Sequence, residues 1–309
     1  MISPVCSHRR NKIILVDYSQ TSLNAILSFQ RELRGGDEKI VDLIRHIVLS
    51  MLQSYKKKYG KQYGNIVITC DARNYWRRDY FQYYKAGRKK AREESGLPFH
   101  LIFETINQLK LDLAEHFPYK VIGVDKAEAD DIIAVLAEYT QDNEFRSIGL
   151  IEEPQDVLII SSDHDFKQLH RFDNVKQWST KTKKLIPRER DYMTNGHIQH
   201  IVKAGDDGIP SILSPDNIFL QEGVRQKPVS AKRLAEFVEL GFAACRTDEE
   251  RRNWHRNEKL IDFKHIPVDL KQEIITTYQN MTVKKDKTAI MNYLIKHRCR
   301  ELLNSLEDF

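Results

Sequence analysis

Four short runs of branched apolar residues, 13–16, 66–70, 120–124 and 157–160, punctuate the first half of the chain, and Asp17, Asp71 and Asp163 follow three of them. Runs this short and continuously apolar read as strands buried on both faces, the pattern of a parallel sheet. Helical periodicity fills the gaps, at about 40–59, 99–116 and 127–140. Strands alternating with helices predict an α/β domain with a mostly parallel central sheet flanked by helices. Such sheets bind ligands beyond the carboxyl ends of their strands, so the three aspartates are expected in one cleft.

More carboxylates join them. Glu128, Asp130 and Asp131 open the helical stretch after Val124, whose apolar stripe is Ile132, Val135, Leu136 and Tyr139. Glu128 and Asp131 fall on the N-terminal end of that stripe, while Asp130 falls off it. Dipole bias at a helix start accounts for one or two acids, but not for their coincidence with the strand-end aspartates. Asp163 and Asp165 flank His164, and Asp206 and Asp207 are adjacent in Gly205-Asp206-Asp207-Gly208-Ile209-Pro210. Carboxylate oxygens without thiolates suit hard cations, magnesium or manganese. Packed together they repel unless cations offset them. A metal-dependent phosphodiester-cleaving site is the expectation. His164 reads as a solvent-facing side chain, and His197 and His200 as surface residues rather than a zinc site, because no further ligand accompanies them.

The net charge is +5, and residues 73–94 carry all of it, with eight basic residues against three acidic ones. Arg77, Arg78, Lys85, Arg88, Lys89, Lys90 and Arg92 are interleaved there with Tyr75, Trp76, Tyr80, Phe81, Tyr83 and Tyr84. Cations for phosphates beside rings for unstacked bases make a nucleic-acid strand guide; a solvated basic helix is the bland alternative. No run approaches the roughly 18 apolar residues of a membrane span. The polar first ten residues lack a signal-peptide core, and Cys6, Cys70, Cys245 and Cys299 lie far apart, so a reducing, cytoplasmic setting is expected.

From residue 191 the pattern changes. An amphipathic stretch, Tyr192 to Val202, leads into the glycine turn, and a second helix is expected from Ser214-Pro215, with serine as cap and proline at the first turn. Turn amides at Gly205 and Gly208 are expected to hold duplex phosphates. Residues 231–309 read as helical and highly charged, with basic clusters at 251–256 and 284–287 that are solvated faces, duplex contacts or partner contacts. The expected division is an α/β domain over 1–190 and a smaller helical region over 191–309.

Tyr75-Trp76-Arg77-Arg78-Asp79, Tyr83-Tyr84-Lys85, Lys90-Ala91-Arg92-Glu93-Glu94-Ser95, Ile159-Ile160-Ser161-Ser162-Asp163 and Asn174-Val175-Lys176-Gln177-Trp178-Ser179 occur in an order that spans nearly the whole chain. That ordered set resembles the 5′-nuclease superfamily of flap endonucleases and 5′→3′ exonucleases, and within it the ribonuclease H group of T-even bacteriophages. The resemblance implies a first metal cluster at Asp17, Asp71, Glu128, Asp131 and Asp163, with Asp130 matching an acid of some members. It implies a second cluster at Asp165 and Asp207. The family turn is longer, with its aspartates apart, which leaves open whether Asp206 replaces the earlier one. Lys85 and Arg88 match a basic pair that contacts the scissile phosphate below a helical arch at about 86–98. Tyr84 matches a ring near the unpaired terminal nucleotide, and 191–222 a helix–three-turn–helix element that grips the duplex.

The resemblance further implies two Mg2+ ions per site, with Mn2+ as a substitute. The expected substrates are DNA and RNA–DNA duplexes with 5′ ends or flaps, including lagging-strand RNA primers. A single-stranded-DNA-binding protein and a sliding clamp are the implied partners of a monomer in the host cytoplasm. Two other enzyme classes set acids at strand ends. A PIN-like ribonuclease would need neither the basic segment nor the glycine turn, and a haloacid-dehalogenase phosphatase would want a threonine where Asp17-Tyr18-Ser19 stands. A non-catalytic DNA-structure-binding protein gains nothing from repelling acids beside phosphates.

Overall fold

The computed structural model describes residues 12–33, 36–141, 154–283 and 286–309. Strand β1 (Lys12–Asp17) alternates between two cores: Ile14 and Val16 enter one, Ile13 and Leu15 the other. That period of two on a strand buried on both sides makes it the centre of the sheet. Strands β2 (Asn65–Thr69), β3 (Lys120–Ile122), β4 (Asp156–Ile160), β5 (Val175–Ser179) and β6 (Lys184–Leu185) complete a six-stranded sheet in the order β3-β2-β1-β4-β5-β6. All pairings are parallel except the short β5–β6 edge. The expected mostly parallel sheet is therefore present, with β5 and β6 added beyond the runs read from sequence.

Helices α1 (Tyr18–Leu27), α2 (Asp37–Tyr63) and α5 (Phe99–His116) cover one face. In α5 the buried residues Ile102, Thr105, Ile106, Leu109 and Leu113 follow the three- and four-residue spacing of a single stripe. Helix α6 (Ala129–Tyr139) lies against the other face, packed by Ile132, Val135 and Leu136. Between β2 and α5 run two short helices, α3 (Trp76–Tyr80) and α4 (Arg88–Glu94). The chain goes from β1 to β2 on one side and returns to β4 on the other, so the order reverses between β1 and β4. A crevice forms at that switch point, beyond the carboxyl ends of the strands. Asp17 ends β1, and Asp163 follows β4.

The helices beyond residue 196 pack partly on the sheet and partly on one another. Helix α7 (His197–Lys203) shares a small core with Ile212, Phe237 and Trp254. The helix expected from Ser214 is absent. Residues 214–217 form turns before a single 3-10 turn, Ile218–Leu220, and the next α-helix is Ala231–Leu240, capped by Ser230. The Ser214 hydroxyl is engaged by Ser211 and by the backbone amide of Lys227, so it has no helix to cap. Nor is the 251–256 cluster simply a solvated face. Arg252 and Arg256 both pair with Asp216, and Arg256 is buried, donating to the Pro210 carbonyl. Of the other basic cluster, 284–285 lies outside the described residues. Among the described residues no helix is long and apolar enough to cross a membrane.

Phe166 joins the two parts of the chain. It is fully buried in the α6 core, 6.0 Å from the Phe263 ring of the C-terminal region. Phe166→Ala should destabilise the protein by about 3–5 kcal/mol through lost burial and a residual cavity. Denaturant titration checks this, and a loss below about 1 kcal/mol would contradict the packing role.

Candidate active site

Two cavities open at the crevice, and Asp163 lines both. The larger, about 700 Å3, has Asp17, Asp71, Asp130 and Asp163 on one side and Lys85, Arg88 and Arg92 among its basic residues. The smaller, about 290 Å3, is lined by Asp163, Asp165, Asp206 and Asp207 together with His164 and His200. Helix starts fix several of these acids. Asp17 caps α1 by accepting from the Gln20 amide at 3.1 Å, and Ser161 donates to its other oxygen at 3.1 Å. Asp71 accepts from the Ala129 amide at the start of α6 (2.9 Å), and Asp163 from the Asp165 amide (2.9 Å). Gln20, which the sequence did not single out, lines both cavities and accepts from Ser161 and from the Ser162 amide.

Glu128 and Asp131 are fully buried, as the stripe on α6 predicted, yet neither lines either of these two cavities. They face Arg77. One guanidinium nitrogen lies 2.8 Å from each carboxylate, and Arg77 Nε donates to the Leu260 carbonyl at 2.8 Å. Asp131 Oδ2 also accepts from the Trp76 indole (3.1 Å) and the Glu128 amide (3.0 Å). The expectation that Arg77 touches nucleic acid is overturned, since its side chain is 3% exposed and a buried cation is retained where buried anions need it. It is Asp130, off the stripe, that reaches the cavity. Tyr84 is also largely buried. Its ring is packed with Phe81, Ile209, Leu260 and Ile261, and its hydroxyl donates to Glu128 at 3.0 Å, so stacking on a nucleotide would require leaving a core. Tyr84 also lines the smaller cavity, and Tyr75 the larger.

Lys85 stands where the pieces meet. Its ammonium bonds Glu128 and lies 3.3 Å from Asp207, which Arg88 also pairs with. The Lys85 amide donates to the Asp207 carbonyl at 2.7 Å, and both residues hold positive φ, 58° and 53°. Such backbone strain persists only where the surroundings over-determine it. Gly208, at φ 76°, lets the turn close on this segment, because a β-carbon there would sit 2.9 Å from the Tyr83 carbonyl. The Gly205 amide already donates to the Ile209 carbonyl at 2.8 Å, and so holds the turn rather than a phosphate. Arg78 is exposed over the Tyr75 ring and Arg92 lies over Phe103. The side chains of Lys89 and Lys90 lie outside the described residues. His197 and His200 are not surface residues: His197 is buried against Asp262 (3.2 Å), and His200 lies 3.2 Å from Asp165.

Burial pushes the Asp17 carboxyl up to about 7, with the charges of Asp71 and Asp163 adding to it. Burial likewise raises Asp130, reinforced by Asp163 and Asp17, and Asp165, reinforced by Asp163 and Asp207. Glu128 and Asp207 go the other way. Burial alone would raise them, but Lys85 with Arg77, and Lys85 with Arg88, hold them below the usual carboxylate range. Protein cations thus neutralise Glu128 and Asp207 but leave Asp17, Asp130, Asp163 and Asp165 in excess. One Asp165 oxygen is buried without a hydrogen-bond donor. An oxygen-rich cluster short of positive charge fits divalent cations.

A family described as 5′-3′ exonuclease, N-terminal resolvase-like domain, matches residues 12–198, and a T4 RNase H C-terminal family matches 193–309. The ribonuclease H of Enterobacteria phage T4 is 32% identical over 308 residues, covering 96% of this chain and 95% of that protein. The chain belongs to the 5′-3′ exonuclease family. Membership makes it a nuclease, a hydrolase of phosphodiester bonds. Among solved structures, a bacteriophage T5 protein crystallised with metal ions aligns with TM-score 0.56 at 17% identity, over 86% of this chain and 98% of that one. The T5 flap endonuclease, in a complex with DNA and metal ions, aligns with TM-score 0.55 at 18% identity, over 87% and 99%. These two neighbours share the exonuclease fold.

The raised Asp17 carboxyl gives cation binding a pH dependence. Below about pH 7 the metal-free site holds a proton that a cation must displace, so affinity should rise with pH through about 7 and then level. Calorimetric Mg2+ titrations between about pH 5.5 and pH 8, in buffers of different ionisation heat, count the released proton. Affinity that is flat across that range would contradict the reading.

Proposed function

We propose that this nuclease hydrolyses phosphodiesters near the 5′ ends of RNA–DNA and DNA duplexes, with magnesium as its cation, and that it removes RNA primers during replication. The observation that carries the reading is Asp163, shared by two acidic cavities, with Lys85 and Arg88 at the same crevice. Asp17, Asp71, Asp130 and Asp163 would hold one cation, and Asp163, Asp165 and Asp207 a second, with Asp206 exposed at the rim. Bound there, divalent ions supply Lewis-acid charge and a water of lowered pKa. Glu128 and Asp131 would act through Arg77 and Lys85, by positioning them.

The remaining roles belong to the chain. In the free protein Lys85 and Arg88 neutralise Glu128 and Asp207. A phosphate entering the larger cavity offers them a competing anion, so they would turn from carboxylate to non-bridging oxygen as charge grows there. Tyr75 presents a partly exposed ring beside these cations and would stack a frayed terminal base. The turn 205–210 would rest on the duplex backbone downstream, and residues 86–98 would form the arch over the strand end. The two parts of the chain would divide near residue 190.

A 5′-labelled RNA–DNA hybrid, a nicked duplex and a 5′-flap substrate, each with Mg2+ and with EDTA, test the activity, and product length reports polarity and preferred structure. Asp71→Asn and Asp163→Asn should fold and bind DNA while cleaving at least about 100-fold more slowly. Appreciable cleavage by both at saturating Mg2+ would overturn the carboxylate assignment. For Lys85→Ala the single-turnover rate should drop about 100- to 1,000-fold with a modest loss of affinity. An unchanged rate would remove Lys85 from the chemistry.

A further inference from the structure

Gln20 is the third residue of α1, three beyond the Asp17 cap, where a glutamine commonly folds back onto the amide of its own cap. Here the side chain reaches away from its helix, to the segment after β4. Its Oε1 accepts from the Ser162 amide at 2.5 Å and lies 2.9 Å from the Ser161 hydroxyl. A backbone N–H can only donate, so the Ser162 contact decides which end of the carboxamide is oxygen. Nε2, with its two hydrogens, is thereby turned off that segment and has no acceptor among the described residues.

The position gives this donor a use. Asp163 and Gln20 both line the two cavities, so the carboxamide stands at their junction. Asp17, Asp71, Asp130 and Asp163, on the same side of the larger cavity, are acceptors that repel a phosphate when ionised. Lys85 and Arg88 are engaged by Glu128 and Asp207 in the free protein. A neutral NH2 among the acids can bind a phosphate oxygen without drawing a carboxylate away from a cation, as a lysine there would. A tether for the Ser161–Asp163 segment needs the acceptor alone, and a glutamate would supply one. The amide half of the side chain is what a tether leaves unused.

We propose that Gln20 is a substrate-binding residue of the cleavage reaction, its Nε2 donating to a non-bridging oxygen of the phosphate seated between the two cavities. The inference rests on the nuclease reading for the reaction it serves. Negative charge grows on the non-bridging oxygens as the phosphate is attacked, so a donor already aimed at one of them binds the transition state more strongly than the ground state. The Ser162 amide does the aiming, because it fixes the carboxamide before substrate arrives.

Two variants and a sulfur-substituted substrate test this. Gln20→Glu keeps an acceptor for Ser162 and removes the donor, while Gln20→Met removes both without adding charge. With saturating Mg2+, single-turnover cleavage should slow about 100-fold in each. The two diastereomers carrying one sulfur at the scissile phosphate are then compared. Sulfur accepts hydrogen bonds poorly, so both variants should lose far less rate on the diastereomer whose sulfur faces Gln20 than on the other. A loosened Asp163 segment, or repulsion by the introduced carboxylate, would slow the oxygen substrate and both diastereomers alike. That result, or an unchanged rate, would overturn the proposal and leave Gln20 a solvated tether. A second readout does not involve cleavage. With Ca2+ and uncleaved duplex, the Gln20 side-chain amide signal, identified by its loss in Gln20→Met, should shift in nuclear magnetic resonance spectra of isotope-labelled protein. A signal that does not move would also overturn the proposal. Failure of the nuclease reading is separately visible, as absent cleavage by the wild type with Mg2+ and Mn2+ alike, and the amide signal then still decides the contact.

Discussion

The Arg77 guanidinium is the contact on which the arrangement of the crevice depends. It sits in the interior between Glu128 and Asp131 at the start of α6 and the Leu260 carbonyl of the C-terminal region. Taking three charges out of water is costly, and removing one partner from such a set leaves an uncompensated buried charge. The set therefore has essentially one geometry. By holding Glu128 and Asp131 inward it fixes the rotation of α6, and that rotation delivers Asp130 to the cavity. The same contact ties the strand-end carboxylates to the helices beyond residue 196, so the crevice has a floor from one part of the chain and a wall from the other.

Much of this was legible in the sequence, because period and composition report burial directly. The short apolar runs fall on β1 to β4, and Asp17, Asp71 and Asp163 stand at the crevice as the strand logic requires. The stripe on α6 correctly marked Glu128 and Asp131 as buried. What it could not report was the partner across the interface. A carboxylate on a buried face faces either a cavity or a cation, and only the position of Arg77 decides between them. The same blindness affected the histidines. His197 and His200 looked unaccompanied in sequence, yet Asp262 and Asp165 reach them from elsewhere in the fold. Where a helix was expected at Ser214-Pro215, the Ser214 hydroxyl instead accepts from the Lys227 amide, a contact across the fold that the local sequence does not report.

Electrostatically, the crevice divides into two populations of acids. Glu128 and Asp207 are neutralised by fixed protein cations, while Asp17, Asp130, Asp163 and Asp165 repel one another and hold protons above their usual range. The first population sets where Lys85 and Arg88 wait, and the second sets where cations are wanted.

The backbone bond from Lys85 to Asp207 joins two left-handed residues, one at the foot of the segment over the crevice and one in the glycine turn. Neither conformation is comfortable alone, so each residue keeps its strained backbone because the other holds it. The pair then behaves as a single hinge pin. On the proposed function, a duplex resting on the turn and a strand end drawing on Lys85 would pull on the same pin, each altering the other's hold by the same free energy. Grip and cut would then be one equilibrium read at two places, and a substrate that engaged only one of them would be disfavoured at both.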